Sequence, residues 1–349
     1  MNSKRLQSES SSDDCVREDL ADGVTSQVHT SEKIPDLKSS HQQEDSRQLE
    51  IPLLTDASIQ RVKEGVAAAG DRAVRRIVEE TLNRLQAINQ QDSQPRVNSW
   101  LRRFVMRSLI HTLFRVRVEH LERIPQQPAI LAANHLHHLD PLLLLAELPT
   151  QPCYYILGDA RTLYNKWWKR FILGFTGGVI PLKRVWKEEV AVIKAAKAGR
   201  EDLVELAAAI EQIVATGQDI QTLRQIERII LAILARGDGM IIFPEGRLGT
   251  AEAQLHLPLK RGTIIYALRA SVPIIPVAVI GTHDLFLGKK LTIKVGEPLH
   301  FASTTRPKRQ EVDVALETLQ KAMLALLPTN YQEPTGLKLL HHFLNHMLC

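Results

Sequence analysis

Apolar positions fall into distinct regimes along the 349-residue chain. Residues 1–50 are rich in Ser, Gln, Asp and Glu and poor in large apolar groups. Such a segment cannot bury enough surface to offset the entropy of ordering, so a disordered acidic tail is expected. Between residues 56 and 91, Val62, Val66, Ala69, Ala73, Ile77, Leu82, Leu85 and Ile88 recur mostly at three- and four-residue steps, which predicts helix. Pro95 ends this element or opens the next link. From Trp100 to about Arg115 a second helix is expected. Its Leu101, Phe104, Val105, Leu109, Leu113 and Phe114 are interleaved with Arg102, Arg103, Arg107 and Arg115. Two readings stand for it: a basic amphipathic helix at a bilayer interface, or a helix packed on the domain with an exposed arginine face.

Short apolar runs then alternate with helical stretches. Strands are predicted at Val116–Leu121, Ala129–Ala133 and Tyr154–Leu157, and within the glycine-led block Gly177–Arg184. Further strands are predicted at Met240–Phe243, Pro273–Gly281 and Lys289–Val295. Residues 186–236 read as alanine-rich helices broken near Gly199 and Gly217 and ended at Gly237, where arginine in the last turn and glycine beyond it form a stop signal. Helices are also expected at Gly262–Arg269 and Val312–Leu327. A last apolar segment, Leu337–Leu348, carries His341, His342 and His346. Their spacing alone would suit a metal, but packing or interfacial roles fit the surrounding leucines better. Strand–helix alternation of this kind indicates an α/β domain.

Composition narrows the picture. The length allows one large domain with extensions or two smaller ones, and 44% hydrophobic residues is ordinary for a globular chain. No apolar run approaches the ~18–20 residues that span a bilayer, and no charged-then-apolar leader stands at the start. Cys15, Cys153 and Cys349 are too scattered for a disulfide framework or a zinc pattern, which suits a reducing compartment. Residues 1–50 hold eleven Asp/Glu and six Lys/Arg, a net of −5. The remainder holds 38 Lys/Arg against 28 Asp/Glu, a net of +10. A basic body suits an anionic partner: a phosphorylated substrate, an acidic lipid surface or nucleic acid. No recognised nucleic-acid motif accompanies it. Tyr164–Phe171, with Trp167 and Trp168 among Lys166, Lys169 and Arg170, suits a membrane interface, one tryptophan turned in and one out.

The candidate chemistry lies in Ala132–Pro141, reading Ala-Ala-Asn-His-Leu-His-His-Leu-Asp-Pro. It follows a predicted strand, and ligands of α/β sheets meet the protein at carboxyl ends of strands. An imidazole with an ordinary pKa of about 6.5 can take a proton at neutral pH. A nearby carboxylate can fix its tautomer and stabilise the imidazolium. This stretch has no Ser or Cys nucleophile, so a His135–Asp140 pair would activate a hydroxyl of the substrate. Asp140 before Pro141 could also stand near a helix N-cap.

Asn134-His135 followed by Asp140 resembles the Asn-His-x-x-x-x-Asp motif of the glycerolipid acyltransferases. Three further blocks follow in that superfamily's order: Gly177–Arg184, then Phe243-Pro244-Glu245-Gly246-Arg247, then Val272–Gly281. Together the blocks cover roughly Val118 to Pro298. The resemblance implies a single three-layer αβα domain with a mixed, largely parallel sheet, preceded by a helical hairpin at the membrane surface. It divides the chain into a tail (1–50), helices (51–117), a catalytic domain (118–330) with a helical insertion at about 186–236, and a C-terminal amphipathic segment (331–349). It implies transfer of an acyl group from acyl-CoA or acyl-carrier protein to a lysophosphatidic acid or similar lipid, at the cytoplasmic face of a membrane. No metal or organic cofactor is called for. His135 would be the general base and Asp140 its orienting partner. Arg184, Glu245, Gly246, Arg247 and Lys260 would hold the acceptor, the arginines because a guanidinium fork matches phosphate. Glu245 could orient a hydroxyl or pair with Arg247. One departure stands out: the commonest family form has a small or hydroxyl residue after the glycine and arginine next, whereas Arg247 follows Gly246 directly.

Two other classes compete. A metal-dependent hydrolase could use His135, His137, His138 and Asp140, which are the right ligand types, but would leave the other blocks unexplained. A non-catalytic membrane-binding protein on the same fold would fit the basic helix and the tryptophans.

Overall fold

The computed structural model describes residues 54–87, 99–167, 169–170, 178–182, 185–214 and 220–347. The predicted tail, Arg184 and Trp168 lie outside the described residues. All that is described belongs to one compact unit, Ile51–Cys349.

Seven strands form one sheet in the order β1-β7-β6-β2-β5-β3-β4. They are β1 (Arg115–Glu119), β2 (Ile130–Ala133), β3 (Tyr154–Asp159), β4 (Val179–Leu182), β5 (Gly239–Ile242), β6 (Ile274–Ile280) and β7 (Lys290–Val295). Every neighbouring pair is parallel except β6–β7. The sheet is therefore mixed and largely parallel, as expected. One consequence positions the site. The carboxyl ends of β2 to β6 and the amino ends of β1 and β7 share a single edge of the sheet.

The three central strands β2, β5 and β6 are buried throughout, the signature of a sheet covered on both faces. Alternate residues of each strand enter opposite layers. Leu131 and Ala133 join Ile241, Ile275 and Val277 in one cluster. Helices α2 (Arg72–Ala87), α3 (Ser99–Leu113) and α4 (Asp140–Glu147) close it through residues such as Val78, Ile110 and Leu143. Ile130, Ala132, Met240 and Ile242 join the other cluster. There α8 (Ile220–Ala235), α9 (Gly262–Ala270) and α10 (Arg309–Leu326) supply Ile230, Ile264 and Leu319. Helix α2 reaches both layers, with Val74 and Val78 in the first cluster and Leu85 in the second.

The helices before and within the domain interlock. Helix α1 (Asp56–Gly70), whose N-cap Thr55 accepts from Ser58 N–H, packs on α6 (Lys187–Lys197) and α7 (Val204–Ile213). Val62, Val66, Val192 and Ile210 form a third, smaller core there. The insertion thus splits: α6 and α7 cover α1, while α8 covers the sheet. Gly199, at φ +101°, makes the predicted break after α6. Helix α5 (Ala160–Leu163) is a single turn after β3, and α11 (His341–Met347) closes the described chain.

Ile230, fully buried on α8, reports on the second layer. Ile230→Ala should lower stability to urea by about 2–5 kcal/mol. The exposed Leu324→Ala should stay within about 0.5 kcal/mol of the wild type.

Candidate active site

β2 delivers the chain to the shared edge at Ala133, and the loop to α4 begins with Asn134. Asn134 is buried, and its amide bonds both backbone groups of Val279: Nδ2 donates to the carbonyl oxygen at 2.9 Å, and Oδ1 accepts from N–H at 2.7 Å. The side chain thereby continues the β2–β6 pairing past the end of the strand.

Asp140 sits at the far side of this loop, fully buried. Its Oδ2 accepts from Leu136 N–H at 2.7 Å and His137 N–H at 2.8 Å, and meets His135 Nδ1 at 3.0 Å. A carboxylate only accepts, so the Nδ1 facing it carries the imidazole proton, leaving Nε2 as the basic nitrogen. The N-cap of α4 is Leu139, without a side-chain bond. The expected N-cap role for Asp140 is thus corrected: its carboxylate turns back to the loop N–H groups, which precede the helix. Its Oδ1 has no hydrogen-bonding partner among the described residues. His135 is the exposed member of the pair, with 17% of its side chain accessible against none for Asp140. Its ring stacks on Phe243, centroids 4.2 Å apart and planes 23° apart.

The turn after β5 clasps His135 from the other side. Glu245 Oε1 accepts His135 N–H at 2.8 Å, and Glu245 Oε2 accepts His256 N–H at 2.7 Å. Gly249 N–H donates to His135 O at 2.6 Å. A Cβ on Gly249 would come within 2.9 Å of Leu136 Cδ2, so a larger residue would have to displace that methyl group. Both oxygens of Glu245 are thus taken up by backbone N–H groups. Burial holds the Glu245 carboxyl above the usual range, against the pull of those two N–H donors.

Arg247 is exposed and its Nη2 meets His256 Nδ1 at 2.9 Å. Gly246 is left-handed, at φ +67°, and the Lys260 side chain lies over it: an added Cβ would stand 3.2 Å from Lys260 Cγ and Cε. Slight burial and the charges of Arg247, Lys187 and Lys260 together hold His256 below the ordinary histidine value. A cluster of cations thus gathers beside the loop that holds His135. The structure brings together His135, Asp140, Glu245, Gly246, Arg247 and Lys260, while Arg184 is outside the described residues. Beside it in sequence, the start of α6 is held firmly. Glu189 accepts from Trp186 N–H at 2.6 Å and pairs with Arg161, and Trp186 Nε1 donates to Asp159 Oδ2 at 2.6 Å.

Phe243 stood in the motif block, but its stacking on His135 was not legible there. Gly249 and His256 were not legible as site residues, since they lie in an irregular loop, where no periodicity marks what a side chain will touch. The histidines of the loop do not share a ligand point. His137 Nδ1 accepts from Leu139 N–H at 3.1 Å, and His135 Nδ1 is committed to Asp140. Among the described residues no three His, Cys, Asp or Glu side chains converge in a way that could hold a metal. His341 faces Asp284, and His342 stacks on His346.

Burial, and then the neighbouring His135 and His137, push His138 down to about 4. An unfolded His138 would take its proton near pH 6.5, the folded one only near 4, so the unfolded chain binds more protons between these values. Stability should therefore fall as pH drops through that window. Urea unfolding at pH 7 and pH 4.5 should show the wild type losing up to about 3 kcal/mol more than His138→Gln.

Residues 115–280 match the model of the acyltransferase family. No curated protein matches. A similar solved structure is the crystal structure of the 1-acyl-sn-glycerophosphate (LPA) acyltransferase PlsC from Thermotoga maritima. It is 18% identical, with a TM-score of 0.42 over 79% of this chain and 100% of that one. Among the described residues no helix is long and apolar enough to cross a membrane. The matched segment, just under half of the chain, spans β1 to β6 and holds His135, Asp140, Glu245 and Arg247; over it the chain is similar to the acyltransferase family.

Proposed function

We propose that this acyltransferase moves a fatty acyl group from a thioester, acyl-CoA or acyl-carrier protein, to the hydroxyl of a lysophosphatidic acid or similar glycerolipid during phospholipid synthesis. His135 Nε2 takes the proton of the acceptor hydroxyl as its oxygen attacks the thioester carbonyl. The carbon–sulfur bond breaks, and the imidazolium returns the proton to the leaving thiolate. Asp140 holds the ring in the Nδ1–H tautomer and faces the positive charge while it lasts. General-base catalysis of this kind contributes about 10²–10⁴-fold, and fixing both substrates supplies more. No metal or organic cofactor enters the scheme.

One observation carries this reading. Glu245 holds the backbone of the base with one oxygen and the backbone of His256, the partner of Arg247, with the other. A single buried carboxylate thus ties the general base to the cationic cluster. Arg247 and Lys260 would bind the acceptor phosphate, with Arg184 as a further candidate from its sequence block, and Gly246 lets the turn close beneath them. Glu245 sets the distance between phosphate and reacting hydroxyl. The acceptor is a membrane lipid, so the enzyme would work as a peripheral protein on the cytoplasmic face of a bilayer. Nucleic acid has no part in it.

The test is acyl transfer from labelled acyl-CoA to lysophosphatidic acid, and to glycerol 3-phosphate, on liposomes. His135→Ala should lower kcat by about 10²–10⁴-fold; unchanged turnover would sink the mechanism. Arg247→Ala should raise KM for a phosphorylated acceptor about tenfold, as loss of a charged hydrogen bond does, and leave KM for the donor unchanged. An equal loss with a phosphate-free acceptor would remove Arg247 from the phosphate site.

A further inference from the structure

The segment after α10 lies beyond the matched family domain and is built inside out. Polar groups and a few buried residues fasten it, while large apolar side chains face outward. Asn345 bonds both backbone groups of Leu285 at 2.9 Å, and Leu287 N–H donates to Leu339 O at 2.9 Å. The buried Lys289 reaches Glu333 at 2.6 Å, and Leu344 enters the first core. Yet Leu337 is 84% exposed and Phe343 56%, with Leu339, Leu340 and Leu287 also outward.

Topology puts this surface beside the site. β7 runs against β6, so the 281–289 loop joining them lies at the edge where His135 stands. The segment from Leu337 to Asn345 is fastened to that loop. Trp167, 78% exposed, follows the carboxyl end of β3 at the same edge. The exposed cations Lys166, Lys187, Arg247 and Lys260 follow the ends of β3, β4 and β5 there too. Aromatic, aliphatic and cationic side chains on separate loops along one edge of the sheet match the headgroup layer of an anionic bilayer.

We infer that the C-terminal segment, with Leu337, Leu340 and Phe343 foremost, docks the edge of the sheet carrying His135 onto an anionic lipid surface. The inference deepens the proposed function and rests on its lipid acceptor: a bilayer held there would present headgroups to Arg247 and Lys260. It also separates two surfaces. Trp100 and Phe104 of α3 stack on each other, exposed, with centroids 5.8 Å apart. Arg103 and Arg107, flanking Phe104, reach Ala146 O and Glu147 at the end of α4 remote from Asp140. The α3 pair therefore stands away from the site edge and is no part of this contact.

The test is co-sedimentation with vesicles of phosphatidylcholine and phosphatidylglycerol. The combined variant Leu337→Ser, Leu340→Ser, Phe343→Ser should bind about tenfold less, because its apolar anchors are gone. Trp100→Ser with Phe104→Ser should bind as the wild type does. The triple variant should keep its turnover of a water-soluble short-chain acceptor and lose that of a bilayer acceptor. Unchanged vesicle binding by the triple variant would overturn the inference. So would a wild-type dimer that dissociates in the triple variant while vesicle binding holds, which would make the surface a contact between copies. Absence of turnover with every acceptor would defeat the proposed function, and co-sedimentation would still decide the docking surface.

Discussion

The site depends on one buried oxygen. Asp140 Oδ2 gathers two loop N–H groups and the His135 ring within 3.0 Å. Removing a carboxylate from water is costly unless donors replace the lost hydration. Here the donors come from His135 itself and the two residues after it. The interaction that compensates the burial therefore also shapes the turn between β2 and α4 and orients the imidazole. Binding the ring alone would leave the loop free; binding the loop alone would leave the ring free.

That turn is held from three directions. Asn134 fastens it to Val279 on β6, Asp140 closes it from α4, and Glu245 and Gly249 grip the backbone of His135 from the loop after β5. Phe243 supplies a flat wall for the ring. β2 lies between β5 and β6 in the sheet, which is why both neighbours can reach the residue just beyond its end. The site stands where three buried parallel strands end together. Their close packing gives it a rigid floor.

The reversed direction of β7 has a wider effect. It returns the loop before β7, the end of α3 and the C-terminal segment to the edge where the parallel strands end. An all-parallel arrangement would send the β6–β7 connection back to the far edge first. The outward leucines and phenylalanine near the end of the chain thus lie at the same edge as the His135 loop, although about two hundred residues separate them in sequence.

The alternation of apolar runs and helical stretches, together with the resemblance carried by the motif blocks, determined the α/β class, and the strands found begin and end within a few residues of those predicted. Buried parallel strands must be apolar on both faces, so their composition marks them. The His135–Asp140 pair was legible because its partners lie five positions apart, and one turn can close over that distance. The same reading put Asp140 near an N-cap, since aspartate before proline looks alike whether its carboxylate faces forward or back. Glu245 was visible as a motif residue, but its two backbone partners were not: they lie 110 and 11 positions away, on loops. His256 and Gly249 carry no local signal at all, and Phe243 was visible as a motif residue without its contact to the His135 ring. Local sequence sets which groups can accept or donate and the short-range closures they make. Which backbone N–H groups meet a given oxygen across the sheet is set by strand order and direction, and these exist only once the chain has folded.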